Sequence, residues 1–327
     1  MSMFGKCVLV FIALSLFAVP VSAADVVKMN MNAIYGSTSF HTQGAMEFVK
    51  RVEKYSNGTV LITVHPGGSL GFKGQELLKV VKDGQVPMSD ILMGVVAGSS
   101  HAFGISSLPR LVKSYSEALE LYKAARPLYD KAAKKWNQKI LYAAPWPPSG
   151  LVTKEPVEAV ADIKGIKTRT YDKNGAEFLR SLGGSPVSLP WGEVYASLRT
   201  GMIDSVLTSA ESSKNGKFWE VLGYFKNINY AYPLNMMCIN MDYWNALSKD
   251  QKDAMLKAAK EMEELQWKNS ENRSKEAFKI IAEKGIKVSE ENPDLAAKLD
   301  SAATEIVKKF MKKSKKDEKA ILEKYVK

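Results

Sequence analysis

Two hydrophobic rhythms alternate along this chain. Residues 26–32 and 60–64 carry the alternating, β-branched pattern of strands, and residues 42–55 between them repeat apolar positions at helical spacing before stopping at Ser56-Asn57-Gly58. Residues 74–82 read as a second helix and 90–96 as an apolar strand, with one or two helices over 115–137 and a strand at 139–143. Strands alternating with helices predict an α/β fold of largely parallel sheets covered by helices.

The run Pro145-Trp146-Pro147-Pro148 breaks any regular element and marks a crossing between domains. Beyond it a second unit is expected, with strands at 150–153, 165–171, 186–188 and 205–208 and helices at 176–181, 192–200 and 217–222. Residues 236–240 look like a return to the first domain. Two lobes joined by more than one crossing strand allow hinge closure over a ligand. Ser248-Lys249-Asp250-Gln251 has capping-box spacing, and neither Gly nor Pro interrupts the chain before Gly285. A helix over 249–284 would be about 54 Å long at 1.5 Å per residue, enough to lie across both lobes.

The first 23 residues have the layout of an export signal: Lys6, an apolar run over 8–19, and the small residues Val21-Ser22-Ala23 at the cleavage position, so cleavage is expected near Ala23 and a periplasmic location follows. The apolar run is shorter than the roughly 20 residues that span a bilayer. Cys7 precedes that run and is poorly placed for lipid attachment. The mature chain then keeps only Cys238, which cannot form an internal disulfide and reads as a small buried apolar residue. The 46 basic residues outnumber the 35 acidic ones, giving +11, or +10 once Lys6 is removed. The densest lysine cluster, in KKFMKKSKKDEK near the C-terminus, reads as the solvated face of an amphipathic helix. With no recognition helix and no interleaved stacking aromatics, nucleic acid is not expected as a partner.

The chemistry concentrates in DIKGIKTR, GGSPVSLPWGEVYASL and RTGMID, between Asp162 and Asp204. A strand entered through Gly165 and left at Tyr171-Asp172 presents Arg169 at its carboxyl end, where open α/β folds place ligands. A guanidinium offers two parallel hydrogen bonds to one carboxylate and keeps its charge at any working pH. By itself such a strand arginine is more often part of a surface or interdomain salt bridge.

The segments GAMEFVKRVEKYSNGTVLITVHPGGSLG, LKVVKDGQV, ADIKGIKTR, PVSLPWGEVYASLRTGMIDS, KFWEVLGYFKN and MDYWNALSKDQKDAMLKAAKE cover most of the chain. Together they resemble the substrate-binding subunits of tripartite ATP-independent periplasmic (TRAP) transporters. The resemblance implies a two-lobed, type II periplasmic-binding-protein-like α/β fold with a hinge and a long helix spanning both lobes. It implies a monomeric receptor that hands a small carboxylate to the small and large TRAP membrane subunits, without a cofactor. The expected division is 24–145 with 235–262 for lobe I, and 146–234 with 263–327 for lobe II.

Carried over residue by residue, Arg169 falls on the family's carboxylate-pairing arginine and Trp191 on an aromatic that lines the site. Where family members often read aspartate-glycine-glutamine-glutamate-asparagine-proline, this chain reads Asp204-Ser205-Val206-Leu207-Thr208-Ser209, so Thr208 replaces a ligand-touching asparagine. The position of a second arginine in sialic-acid-binding relatives falls near Ser149, and polar positions fall near Leu92-Met93. Tyr35, Ser37 and Phe40 lie where family ligands often contact the first lobe, though as loop residues they are also unexceptional. Trp219 has helix-face spacing and reads as core.

The traded charges favour a monocarboxylate with an apolar or aromatic body lying near Trp146 or Trp191, because each unpaired polar group of a sugar acid or dicarboxylate costs about 1 to 3 kcal/mol. A C4-dicarboxylate or keto-acid receptor with Lys73 or another basic residue as second anchor is the alternative. An enzyme on a similar scaffold is the weaker one. His41, His65 and His101 lack metal-ligand spacing, Ser149 lacks a nucleophile elbow, and Gly67-Gly68-Ser69-Leu70-Gly71 lacks the Lys-Ser/Thr of a phosphate loop.

Overall fold

The computed structural model describes residues 25–326, so the export signal, its cleavage point near Ala23, and Cys7 lie outside the described residues. The chain builds two sheets, one for each lobe. The first has the order β2-β1-β3-β10-β4, from β1 (Val27–Asn32), β2 (Val60–His65), β3 (Met88–Leu92), β4 (Gln138–Pro145) and β10 (Leu234–Asn240). The second has the order β11-β9-β5-β8-β6-β7, from β5 (Ser149–Thr153), β6 (Lys167–Thr170), β7 (Ser185–Ser188), β8 (Ser205–Ser209), β9 (Tyr224–Asn227) and β11 (Lys287–Glu290).

Neither sheet is wholly parallel. β1 pairs in parallel with β2 and β3, and β6 with β7 and β8, as the alternation predicts. β10 runs antiparallel to β3 and β4, and β5 antiparallel to β8 and β9. The reason is the crossing itself, since a strand that leaves one lobe and a strand that returns to it must run in opposite directions. The two crossing segments, β4 to β5 and β9 to β10, are bonded to each other. Trp146 N donates to Pro233 O at 2.8 Å, Ser149 N to Ala231 O at 3.2 Å, and Tyr230 N to Ser149 O at 2.8 Å.

Helices cover the sheets. α1 (Phe40–Tyr55), α2 (Leu77–Lys82), α3 (Tyr115–Lys135) and α7 (Met241–Ala246) lie with the first sheet, and α4 (Lys173–Ser181), α5 (Val194–Arg199) and α6 (Ala210–Asn215) with the second. The predicted capping box is present at α8 (Lys249–Glu283), where Ser248 Oγ accepts from Gln251 N and Gln251 Oε1 accepts from Ser248 N. α8 contacts α1 and β4 on one side of the crossing and α6 and β11 on the other. Its Met255, Ala258, Ala259 and Met262 enter the core around Phe48, whereas Ala277 and Ile281 enter the core around Phe218. α9 (Pro293–Lys313) packs on α4, and α10 (Lys316–Leu322) returns to α3.

Three expected elements differ. The strand expected over 90–96 ends at Leu92, and Met93–Val96 is a 3-10 turn. The turn brings Gly94 into close approach with the other lobe, where an added Cβ would lie 2.6 Å from Asp172 Oδ2. The helix expected over 217–222 is only the 3-10 turn Phe218–Glu220, entered through Lys217 at φ 50°. The helix expected over 192–200 is a 3-10 turn, Trp191–Glu193, followed by α5. Cys238 is fully buried, and burial pushes its thiol up.

Candidate functional site

A cleft of about 420 Å³ lies between the lobes, floored by the crossing segments. The first lobe lends it Ile34, Tyr35, Leu92 and Val95, the crossings lend Trp146, Ser149 and Pro233, and the second lobe lends Arg169, Tyr171, Trp191 and Thr208. Six of the nine sequence-predicted residues therefore line one cavity: Arg169, Trp191, Thr208, Ser149, Trp146 and Tyr35.

The other three lie elsewhere. Met93, carried inward by the 3-10 turn, is fully buried in the first lobe's core, so at this position it is Leu92 that faces the cleft. Phe40 opens α1 and sits behind the wall, edge-on to Trp146 with ring centroids 5.2 Å apart. Ser37 is exposed in the loop before α1. Trp219 packs against the second lobe's core, as its spacing predicts.

Arg169 sits one residue from the carboxyl end of β6, only 5 % exposed. Its Nε and Nη2 donate to Leu189 O at 3.1 and 3.0 Å, and its guanidinium lies 5.9 Å from the Trp191 ring centroid. The single carbonyl fixes one edge of the fork. Nη1 has no protein partner among the described residues, and no carboxylate lies within 4.0 Å of the guanidinium. Burial lowers its pKa to about 10, with the neighbouring Tyr35, Tyr171 and Asp172 opposing that effect. An enclosed cation without an anion is costly unless something completes it.

Trp146 is held from behind. Its indole Nε1 donates to Asn235 Oδ1 at 2.8 Å, and Asn235 Nδ2 donates to Asp90 Oδ2 at 2.9 Å. Tyr35 packs edge-on against it at 4.9 Å and His41 lies at 4.3 Å. Burial raises Asp90 to about 7, against the Asn235 hydrogen bond, and lowers His41 to about 3. Trp146 thus offers the cleft an apolar ring rather than a donor. Sequence reasoning missed this relay, and it missed Tyr171, whose hydroxyl stands 3.5 Å from Ser149 Oγ. The spacing Arg169-x-Tyr171 was the available signal, since alternate residues share one side of a strand.

Ser149 is placed by the crossing. The next residue must be glycine, because a Cβ on Gly150 would come within 2.4 Å of the Phe225 ring and 2.6 Å of Lys226 O. At the mouth, Lys73 of the first lobe meets Glu193 of the second at 3.2 Å, with the two side chains 63 % and 47 % exposed. Among the described residues there is no group of three or more His, Cys, Asp or Glu side chains able to hold a metal. No described helix is long and apolar enough to cross a membrane.

Known proteins share this fold. A receptor from Bordetella pertussis described as binding pyroglutamic acid, DctP7, superimposes with a TM-score of 0.90 at 28 % identity, covering 92 % of this chain and 100 % of that one. A marine metagenome TRAP solute-binding protein described as specific for pyroglutamate gives 0.89 at 31 % identity over 92 % and 99 % of the two chains. In sequence, the C4-dicarboxylate-binding periplasmic protein DctP of Rhodobacter capsulatus is 26 % identical over 263 residues, 76 % of this chain and 75 % of that one. Residues 31–314 match the family described as bacterial extracellular solute-binding protein, family 7. The chain belongs to this DctP family, the extracytoplasmic organic-acid receptors of TRAP transporters, which bind their solutes and are not enzymes.

Proposed function

We propose that this receptor takes a compact monocarboxylate with a small ring or apolar body, that pyroglutamate is the leading candidate, and that the two lobes close over it before delivery to the membrane subunits. The observation that carries the reading is Arg169: a buried guanidinium, one edge fixed by Leu189 O, with no anionic partner among the described residues. A carboxylate accepting from Nη1 would supply the missing charge. Trp191 and Trp146 would flank the rest of the molecule, and Thr208 would add a hydroxyl contact.

The monocarboxylate class is favoured by what the cleft lacks. Lys73, the other nearby cation, is mostly exposed and is engaged by Glu193 at the mouth. A second carboxylate deep in the cleft would meet Ser149, Tyr171, Leu92 and Val95 instead of a cation. The two relatives of 28 % and 31 % identity described as binding pyroglutamate support the same class. We assign the lobes to residues 24–145 with 235–262 and 146–234 with 263–327, an assignment supported by sheet membership, with Gln266 and Trp267 still bonded to the first lobe and α10 leaning back onto it.

The test is calorimetric titration of the mature protein with pyroglutamate, phenylacetate, pyruvate and succinate. Micromolar or tighter binding of a monocarboxylate, with succinate at least a hundred-fold weaker, is the expected result. Preferential binding of succinate would overturn the class and make Lys73 the second anchor.

A further inference from the structure

We propose that the Tyr171 and Ser149 hydroxyls form a second, charge-neutral subsite that reads an uncharged polar group on the bound acid, so that the receptor distinguishes a lactam ring from a plain hydrocarbon ring of the same size. The inference rests on the monocarboxylate reading and adds to it the identity of the groups that set specificity.

Its geometry begins with β6. Arg169 lies near the carboxyl end of β6 and Tyr171 just beyond it, and both line the cleft. Ser149 approaches from the crossing segment and brings its Oγ to 3.5 Å from the Tyr171 hydroxyl. Both residues are more than nine-tenths buried, Ser149 at 2 % and Tyr171 at 9 %. A hydroxyl has one hydrogen to donate and two lone pairs. This one long contact between the pair is the only side-chain hydrogen bond recorded for either hydroxyl among the described residues, so most of their capacity is unspent inside the cavity. Buried polar groups are ordinarily satisfied, and here the cleft is the remaining direction from which a partner can come.

The pair is also fixed and neutral. Ser149 is locked by its own backbone, donating to Ala231 O and accepting from Tyr230 N. Burial pushes the Tyr171 phenol well up, with nearby Asp172 acting the same way, so it remains a protonated donor at physiological pH. A neutral donor and acceptor pair suits an amide or lactam, which presents one acceptor and one donor side by side. It suits a second carboxylate poorly, because two hydroxyls supply no compensating charge. A ring lacking the amide would leave both buried hydroxyls with only their long contact to each other, and sites built around a hydrogen bond reject such analogues most strongly.

The experiment compares L-pyroglutamate with cyclopentanecarboxylate, a ring of equal size without the amide, by calorimetry on the mature wild-type protein and on Tyr171→Phe and Ser149→Ala. Wild type should prefer pyroglutamate by at least ten-fold. In Tyr171→Phe the affinity for pyroglutamate should fall at least five-fold more than that for cyclopentanecarboxylate, and Ser149→Ala should shift the ratio in the same direction. Equal affinity of wild type for both acids refutes the subsite while leaving the monocarboxylate reading in place. Equal losses for the two acids in Tyr171→Phe would show a structural role only and also refute it. Failure of wild type to bind either acid sinks the reading on which the proposal rests. Should Tyr171→Phe not fold, Ser149→Ala decides by the same ratio, since trimming one hydroxyl leaves the backbone bonds of Ser149 in place.

Discussion

Replacing Arg169 by methionine should separate stability from function in this receptor. The guanidinium is 5 % exposed and its pKa is lowered to about 10, chiefly by burial. For a base, a folded-state pKa below the unfolded one means that folding costs free energy wherever the group is charged. Below pH 10 that cost is about 3 kcal/mol, at 1.36 kcal/mol per pKa unit. Arg169→Met removes it and keeps most of the apolar contact with Trp191. Against the gain stands Leu189 O, which loses both of its donors at 3.1 and 3.0 Å. An acceptor left unsatisfied costs about 1 to 3 kcal/mol. The ligand-free variant should therefore be as stable as wild type or up to about 2 kcal/mol more stable, a rise of up to roughly 4 °C in Tm for a chain of this size. Ligand-induced stabilisation, about 2.7 kcal/mol for wild type at a hundred times Kd, should vanish. Differential scanning fluorimetry with and without a saturating acid reads both quantities. A ligand-free Tm more than 5 °C below wild type would mean that Arg169 is a structural strut. Persistent ligand-induced stabilisation would remove it from the binding site.

Thr208→Val keeps shape and deletes a hydroxyl in the cleft, and should weaken the acid by about 1 kcal/mol, roughly five-fold in Kd by calorimetry; an unchanged Kd would mean that Thr208 does not touch ligand. Lys73→Met breaks an exposed ion pair across the mouth, so affinity should change by less than about 1 kcal/mol, and a hundred-fold loss would make Lys73 an anchor after all. Asp90, raised to about 7 by burial, holds a proton in the folded protein that the unfolded chain releases near pH 4. Between those two values stability should fall as pH rises, by about 3 kcal/mol between pH 5 and pH 8. Urea denaturation of Asp90→Asn at both pH values should lack that fall relative to wild type, and parallel behaviour of the two proteins would show that Asp90 is ionised throughout.

What could be read from sequence was local or carried by a specific pattern. The capping box at Ser248, the uninterrupted helix to Glu283 and the strand that delivers Arg169 each depend on neighbours close in the chain. Met93 misled because ILMGVV carries no polar residue, so its periodicity gives no face; the close approach at that turn, Gly94 against Asp172, involves a residue 78 positions away. The Trp146-Asn235-Asp90 relay joins three segments that no spacing connects. The short strands β9 and β11 were invisible for a similar reason. Each spans four residues, and what makes them strands is their pairing with each other, Lys287 opposite Tyr224.

Consider finally what α8 imposes on any motion of the lobes. As far as its midpoint it is pinned to the first lobe, so tightly that a Cβ on Gly44 would fall 1.8 Å from Gln266 Nε2, while Gln266 Nε2 and Trp267 Nε1 donate to Phe40 O and Ala143 O. Eleven residues after Gln266, Ala277 and Ile281 are embedded in the other lobe. One continuous rod is thus clamped to both of the bodies that, in the proposed closure, would move against each other. The angular change would then bear not only on the two crossing strands but also on the stretch between Trp267 and Ala277, which carries the small buried residues Ser270 and Ser274. On that reading the helix would act as a leaf spring, and its bending stiffness, adjustable by substitutions far from the cleft, would enter the affinity for every solute the receptor carries.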